Sequence, residues 1–146
     1  MTTRAAAVAG LVLAASILAS CTAPTPEPTA APDAADPAEL CAQWADVETI
    51  IFNAGSAFRD GRTQEQEYQG WLRIAARALS RIDADVTTAI GAAIANAQEV
   101  APATPIGLIG EPFDALSAEW GEASVAVRDA CEAEGFPPVG EGFTGG

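Results

Sequence analysis

DPAELCAQWADVETIIFNAGSAFRDG, residues 36–61, opens with Asp36 at an N-cap position, Pro37 at the first helical position and Glu39 three residues beyond the cap. Its apolar residues Leu40, Trp44, Val47, Ile51, Ala54 and Phe58 recur at intervals of four and three. That spacing places them along one side of an α-helix, and Asp60-Gly61 ends it. The same spacing then repeats downstream. Thr63 with Gln66 forms the pattern of a capping box, and Tyr68, Leu72, Ala75, Leu79 and Ile82 make a second stripe. At Asp83-Ala84-Asp85 the phase shifts. Val86, Ile90, Ala93, Ala97 and Val100, with Ile94 beside them, predict a third helix capped by Asp83 or Asp85; the alternative is a second helix that continues through with a kink. A Pro- and Gly-rich connection spans residues 102–112. The last helix is expected from about Glu111, carrying Phe113, Leu116, Trp120, Ala123, Val127 and Cys131, and ending at Gly135 before Phe136-Pro137-Pro138. Strand patterns are absent, so residues 36–135 are expected to be an all-α domain, with 136–146 a Pro/Gly-rich tail.

Upstream, residues 1–20 carry one charge, Arg4, then an apolar run from Ala5 to Leu18 that ends in small residues, the pattern of an export signal. The run is short against the roughly 20 apolar residues of a spanning helix. Its last four residues, Leu18-Ala19-Ser20-Cys21, resemble the lipobox of bacterial lipoproteins. The resemblance implies a diacylglyceryl group on Cys21, removal of residues 1–20, and a protein anchored by lipid to the outer face of the cell membrane. The competing reading is a Cys within a transmembrane helix. Residues 21–35 follow as a linker. TAPTPEPTAAPDAA, residues 22–35, holds four prolines and no apolar period, which favours extended polyproline II. Thr22, Thr25 and Thr29 resemble the O-glycosylated stalks of exported actinobacterial proteins.

With Cys21 lipidated, Cys41 and Cys131 remain as one pair in an oxidising compartment, where a disulfide is expected. Closing a loop of about 90 residues contributes on the order of 4 kcal/mol in the chain-entropy model. Two free buried thiols are the alternative. The bridge also argues topology, because an up-down-up-down antiparallel bundle returns to its starting end after an even number of crossings. Four helices are therefore expected, with a shorter transverse third helix as the variant.

Composition removes most catalytic chemistry. The chain has no His and no Lys, which excludes Ser-His and Cys-His pairs, imidazole metal sites, Schiff bases and the P-loop lysine. Without residues 1–20 it carries six Arg against twenty acids, a net charge of −14. That surface repels nucleic acid and anionic headgroups. The acidic pairs Glu65/Glu67, Asp83/Asp85 and Glu132/Glu134 match neither a glycosidase pair nor a di-iron motif, and Asp83-x-Asp85 lacks the Gly and distal Glu of a calcium loop. No catalytic residue, metal or cofactor is expected.

Three groups carry the binding chemistry. Arg73, Arg77 and Arg81, four residues apart, form a basic ridge on the second helix. Residues 59–81 carry five Arg against three acids, whereas residues 82–146 carry one Arg against eleven. The ridge either pairs with neighbouring acids such as Glu48, Glu119 or Glu122, or offers a face to an acidic partner. Ile106, Leu108 and Ile109 in the connection, and Phe136 and Phe143 in the tail, are apolar residues in flexible segments that either close a bundle end or contact a partner. Trp44, Tyr68, Trp71 and Trp120 lie on or beside the apolar stripes and either pack the core or line a pocket.

Taken whole, the chain resembles the small actinobacterial lipoproteins with a helical ectodomain and one disulfide. The expected function is a non-enzymatic envelope module that binds a protein or a cell-wall component through one face or its apolar loops. The alternative is a carrier or sensor of a small apolar ligand inside the bundle.

Overall fold

Asp36 starts the first helix as its spacing predicts, its carboxylate accepting the Ala38 N–H at 3.0 Å. The structure, a computed structural model, describes residues 35–105 and 110–143. Among these residues there are four helices and no strand: α1 Pro37–Arg59, α2 Glu65–Leu79, α3 Ala89–Val100 and α4 Ala118–Ala133. No described helix is long and apolar enough to cross a membrane. The signal segment, Cys21 and the linker up to residue 34 lie outside the described residues, as do Ile106, Leu108 and Ile109.

Helices α1 and α4 stop in the same way. Gly61 (φ 68°) and Gly135 (φ 85°) take the left-handed conformation that residues with a Cβ disfavour. In each case the next residue's N–H reaches back to the final turn, Arg62 to Ala57 O and Phe136 to Cys131 O, both at 2.9 Å. The other helix starts differ from their sequence signals. Thr63 and Gln66 form no capping box: Gln64 holds the cap position of α2 without a side-chain bond, while Thr63 is buried. Thr88, not Asp83 or Asp85, caps α3 by accepting the Gly91 N–H. Asp85 instead folds the turn before it, accepting from both the N–H and the hydroxyl of Thr87 at 2.9 and 2.7 Å. Val86 is consequently left 65% exposed, off the α3 stripe. Helix α4 begins at Ala118 rather than near Glu111. Asp114 accepts the Leu116 N–H in a preceding turn and Ser117 caps the helix through the Trp120 N–H, leaving Leu116 87% exposed. In both cases an Asx turn competes with one more turn of helix and wins.

Cys41, near the start of α1, and Cys131, in the last turn of α4, form the expected disulfide, with Cα atoms 5.9 Å apart. Farther along the same two helices Glu48 meets Ser124 and Arg128, so α1 and α4 run antiparallel. The α1–α2 hairpin is closed at its turn by Phe58 stacked on Tyr68, centroids 4.8 Å apart. Helix α3 packs mainly on α4. Gln98, near its end, donates to Leu79 O and Ile82 O at 2.9 and 3.0 Å, satisfying carbonyls at the end of α2. Gly91 is required where the Asp85 backbone crosses α3, since a Cβ there would collide with it.

The core gathers one stripe from each helix, with Trp44, Val47, Leu79, Ile94, Val127 and Cys131 fully buried. Trp120 lies between Trp44 and Phe113, with centroids 5.7 and 4.7 Å away. Paired aromatic rings of this kind add about 0.5–1.5 kcal/mol beyond their area burial.

Replacing both Cys41 and Cys131 by Ala should lower the unfolding free energy by about 4 kcal/mol in urea titration, with the helical signal retained in the absence of denaturant. The two bonds from Thr87, its hydroxyl first, hold the Asp85 carboxyl below its ordinary 3.8. Their stabilisation is present above 3.8 and is lost as pH falls through the lowered folded value. Thr87→Ala deletes the hydroxyl bond and keeps the N–H bond, so it should raise the Asp85 titration, followed by NMR, toward the ordinary range without fully reaching it.

Candidate functional site

Helix α2 buries Leu72, Ala75, Ala76 and Leu79, which turns the intervening residues outward. Trp71 is 43% and Ile74 38% exposed. With Arg73 and Arg77 they surround a shallow depression that also includes Glu67 and Gly70. Arg73 is partly fixed, its Nε donating to Gly110 O at 3.0 Å. Two ion pairs occur among the described residues, Arg62–Asp60 and Arg128–Glu48, and neither includes a ridge arginine. Glu48, one of the acids expected opposite the ridge, is engaged on α4. It accepts from Arg128 Nε at 3.1 Å and from Ser124 Oγ at 2.9 Å. The ridge therefore carries positive charge beside exposed apolar surface, on a chain that is strongly acidic elsewhere.

The four aromatic residues considered for one pocket are placed apart. Trp44 and Trp120 are core residues at the α1–α4 contact. Tyr68 stacks on Phe58 at the α1–α2 turn. Its phenol is pushed up from 10.0, by partial burial first and by the Asp114 charge second, with Arg59 opposing. It stays protonated at neutral pH. Trp71 faces outward because it sits about 100° around the helix from Leu72.

Two further residues become visible only in three dimensions. Past Gly135 the chain turns back along α1. Residues 136–139 share a shallow cleft with Ala38, Ala42 and Ala45, and a strap at 139–143 crosses Thr49 and Asn53. Glu141 N–H donates to Thr49 Oγ1 at 2.9 Å, and Asn53 Nδ2 donates to Glu141 O at 2.7 Å. Phe143 N–H donates to Asn53 Oδ1 at 2.6 Å. On one side of the strap is a cleft of about 480 Å³ lined by Glu48, Ile51, Phe52, Trp120 and Arg128. On the other lies one of about 420 Å³ that includes Ala54, Ala57, Thr63, Trp71 and Phe143. Trp44 and Tyr68 line neither. The sequence did contain a signal: Thr49 and Asn53, poor helix formers, stand four residues apart off the apolar stripe.

No group of His, Cys, Asp and Glu among the described residues is arranged to hold a metal ion. Trp44 Nε1 and Thr63 Oγ1 are buried side-chain atoms without a hydrogen-bond partner. Comparison with family models, with curated proteins and with solved structures finds no match.

Because Thr63 has a buried hydroxyl with no partner, Thr63→Val removes a desolvation penalty while keeping the shape. The variant should be as stable as the parent or up to about 1 kcal/mol more stable in chemical denaturation.

Proposed function

We propose that the protein is a non-enzymatic binding module of the cell envelope. A diacylglyceryl group on Cys21 holds it to the outer face of the membrane, and α2 presents it to an acidic protein or wall component. The observation that supports the binding face is the juxtaposition of exposed Trp71 and Ile74 with Arg73 and Arg77, outside the two ion pairs of the described chain. Exposed Trp and Arg together have the composition of interface hot spots. The negative charge of the rest of the chain adds orientation. An acidic partner is repelled elsewhere and admitted at residues 59–81, where five of the six Arg beyond residue 20 lie. The Pro-rich composition of residues 21–35 supports a spacer role between the lipid and the domain.

The arginine replacements Arg73→Glu, Arg77→Glu and Arg81→Glu, made together, test the face in intact envelopes carrying a photo-cross-linker at position 74. The parent chain should give a discrete cross-linked product that falls at least tenfold in the triple variant, with thermal stability unchanged. An equal yield from both would reject the ridge as the docking face. Separately, Cys21→Ala should move the protein from the membrane to the soluble fraction and abolish acyl-chain mass.

A further inference from the structure

Thr49 and Asn53 make three hydrogen bonds to the strap, and all three end on strap main-chain atoms. The Asn53 amide takes the C=O of Glu141 and the N–H of Phe143, two residues apart, the pair that a neighbouring parallel β-strand would take. Recognition of this kind reads an extended backbone, as in strand-addition binding, and leaves sequence to the flanking space. The flanking space is tight at Gly142 and open to a Cβ at Gly140. A Cβ at Gly142 would stand 3.2 Å from Phe52 Cε1, and one at Gly140 would meet Thr49 Oγ1 at 3.8 Å. Val139 is 75% exposed, and Phe143, 62% exposed, edges the cleft that holds Trp71. The strap thus buries little apolar surface, and its three bonds are themselves exposed to water, where exchange for solvent is easy.

Beneath the strap, the cleft carrying Ile51 and Trp120 lies on one side and the cleft carrying Ala57 and Trp71 on the other. Lifting the strap joins them into one trough along α1, with an indole in each wall and the Thr49–Asn53 pair on its floor. We propose that this trough is a docking site for an extended polypeptide segment of a partner protein, with a small residue opposite Phe52, and that the strap is a built-in competitor which the partner displaces. The occupant's chemistry is that of the strap itself, the one chain seen seated there. This inference deepens the reading of the protein as a binding module; the trough borders the ridge at Trp71 but is built on Thr49, Asn53 and the strap rather than on the arginines.

The test uses the full chain. Gly142→Val presses a branched side chain against Phe52 and loosens the strap without altering Thr49 or Asn53. Glu141→Pro, which deletes the N–H given to Thr49, is a second loosened variant. Amide exchange should accelerate at Phe143 in both while core amides stay protected. A fluorescent peptide, Phe-Pro-Pro-Val-Gly-Glu-Gly-Phe, should bind either variant at least tenfold more tightly than the parent, by anisotropy. Adding Asn53→Ala should cancel that gain, and replacing the peptide's second Gly by Val should weaken binding tenfold. Exchanging its Val and Glu should change affinity less than threefold. The arginine-to-glutamate triple variant should leave all of these values unchanged, which separates failure here from failure of the ridge. The proposal is overturned if neither variant frees the strap, if the freed variants bind no better than the parent, or if Asn53→Ala has no effect. It is equally overturned if the freed variants form dimers with exchanged straps, which would assign the trough to a second copy of the chain.

Discussion

The bond between Cys41 and Cys131 is the constraint on which the other features depend. It joins the start of α1 to the end of α4 across 90 residues of sequence, and so sets these two helices antiparallel. From that pairing follow the row of Trp44, Trp120 and Phe113 and the link from Glu48 to Ser124 and Arg128. It also places Gly135 beside the first turns of α1. When the left-handed turn at Gly135 reverses the chain, the next residues have one direction to follow, along α1 toward Thr49 and Asn53. The strap is thus a consequence of the bridge and of a glycine cap.

The two sides of the bundle differ in chemistry. The α1–α4 contact is tied by covalent, aromatic and polar links. Helix α2 is attached through small residues such as Ala75 and Ala76, and shows the solvent a tryptophan and an arginine ridge. Arg73 and Arg77 on the outer face of α2, in a chain that is acidic overall, are suited to orienting a partner. The outward aromatic residues, Phe52, Trp71 and Phe143, line the clefts on either side of the strap. Partner contact therefore has two physically distinct candidate faces on one scaffold, one selected by charge and one by backbone shape.

Much of the fold was legible in the residues. The cap and stop of α1, the glycine end of α4, four helical stripes and the pairing of Cys41 with Cys131 all follow from local rules that tertiary packing reinforces. Three helix starts did not follow, for one shared reason. Thr63, Asp85 and Asp114 each had a competing use, as a buried residue or as the acceptor of an Asx turn, and periodicity does not rank those uses against a cap. The candidate faces were legible only in part. Arg73 and Arg77 could be read because i, i+4 spacing fixes a helix face, but Arg81, expected on the same ridge, lies beyond the end of α2 at Leu79, where the turn through Ser80 and Ile82 takes over. The dispersal of Trp44, Tyr68, Trp71 and Trp120 could not be read, because it depends on which turn of each helix meets which neighbour. The strap was hidden for a deeper reason: its recognition runs through main-chain atoms, and those leave almost no mark on sequence.

In the proposed function, a disulfide-closed bundle with a side-chain-filled core displays its faces, while lipid on Cys21 holds it in place. Native mass spectrometry of the protein released gently from its own membrane, followed by the same sample in denaturant, tests that claim most directly. Expected are acyl-chain mass on a chain that begins at Cys21, the two-hydrogen deficit of one disulfide, and no small molecule lost on unfolding. A defined small molecule that leaves when the bundle unfolds would contradict that claim, and would make the interior, rather than the surface, the working part of the protein.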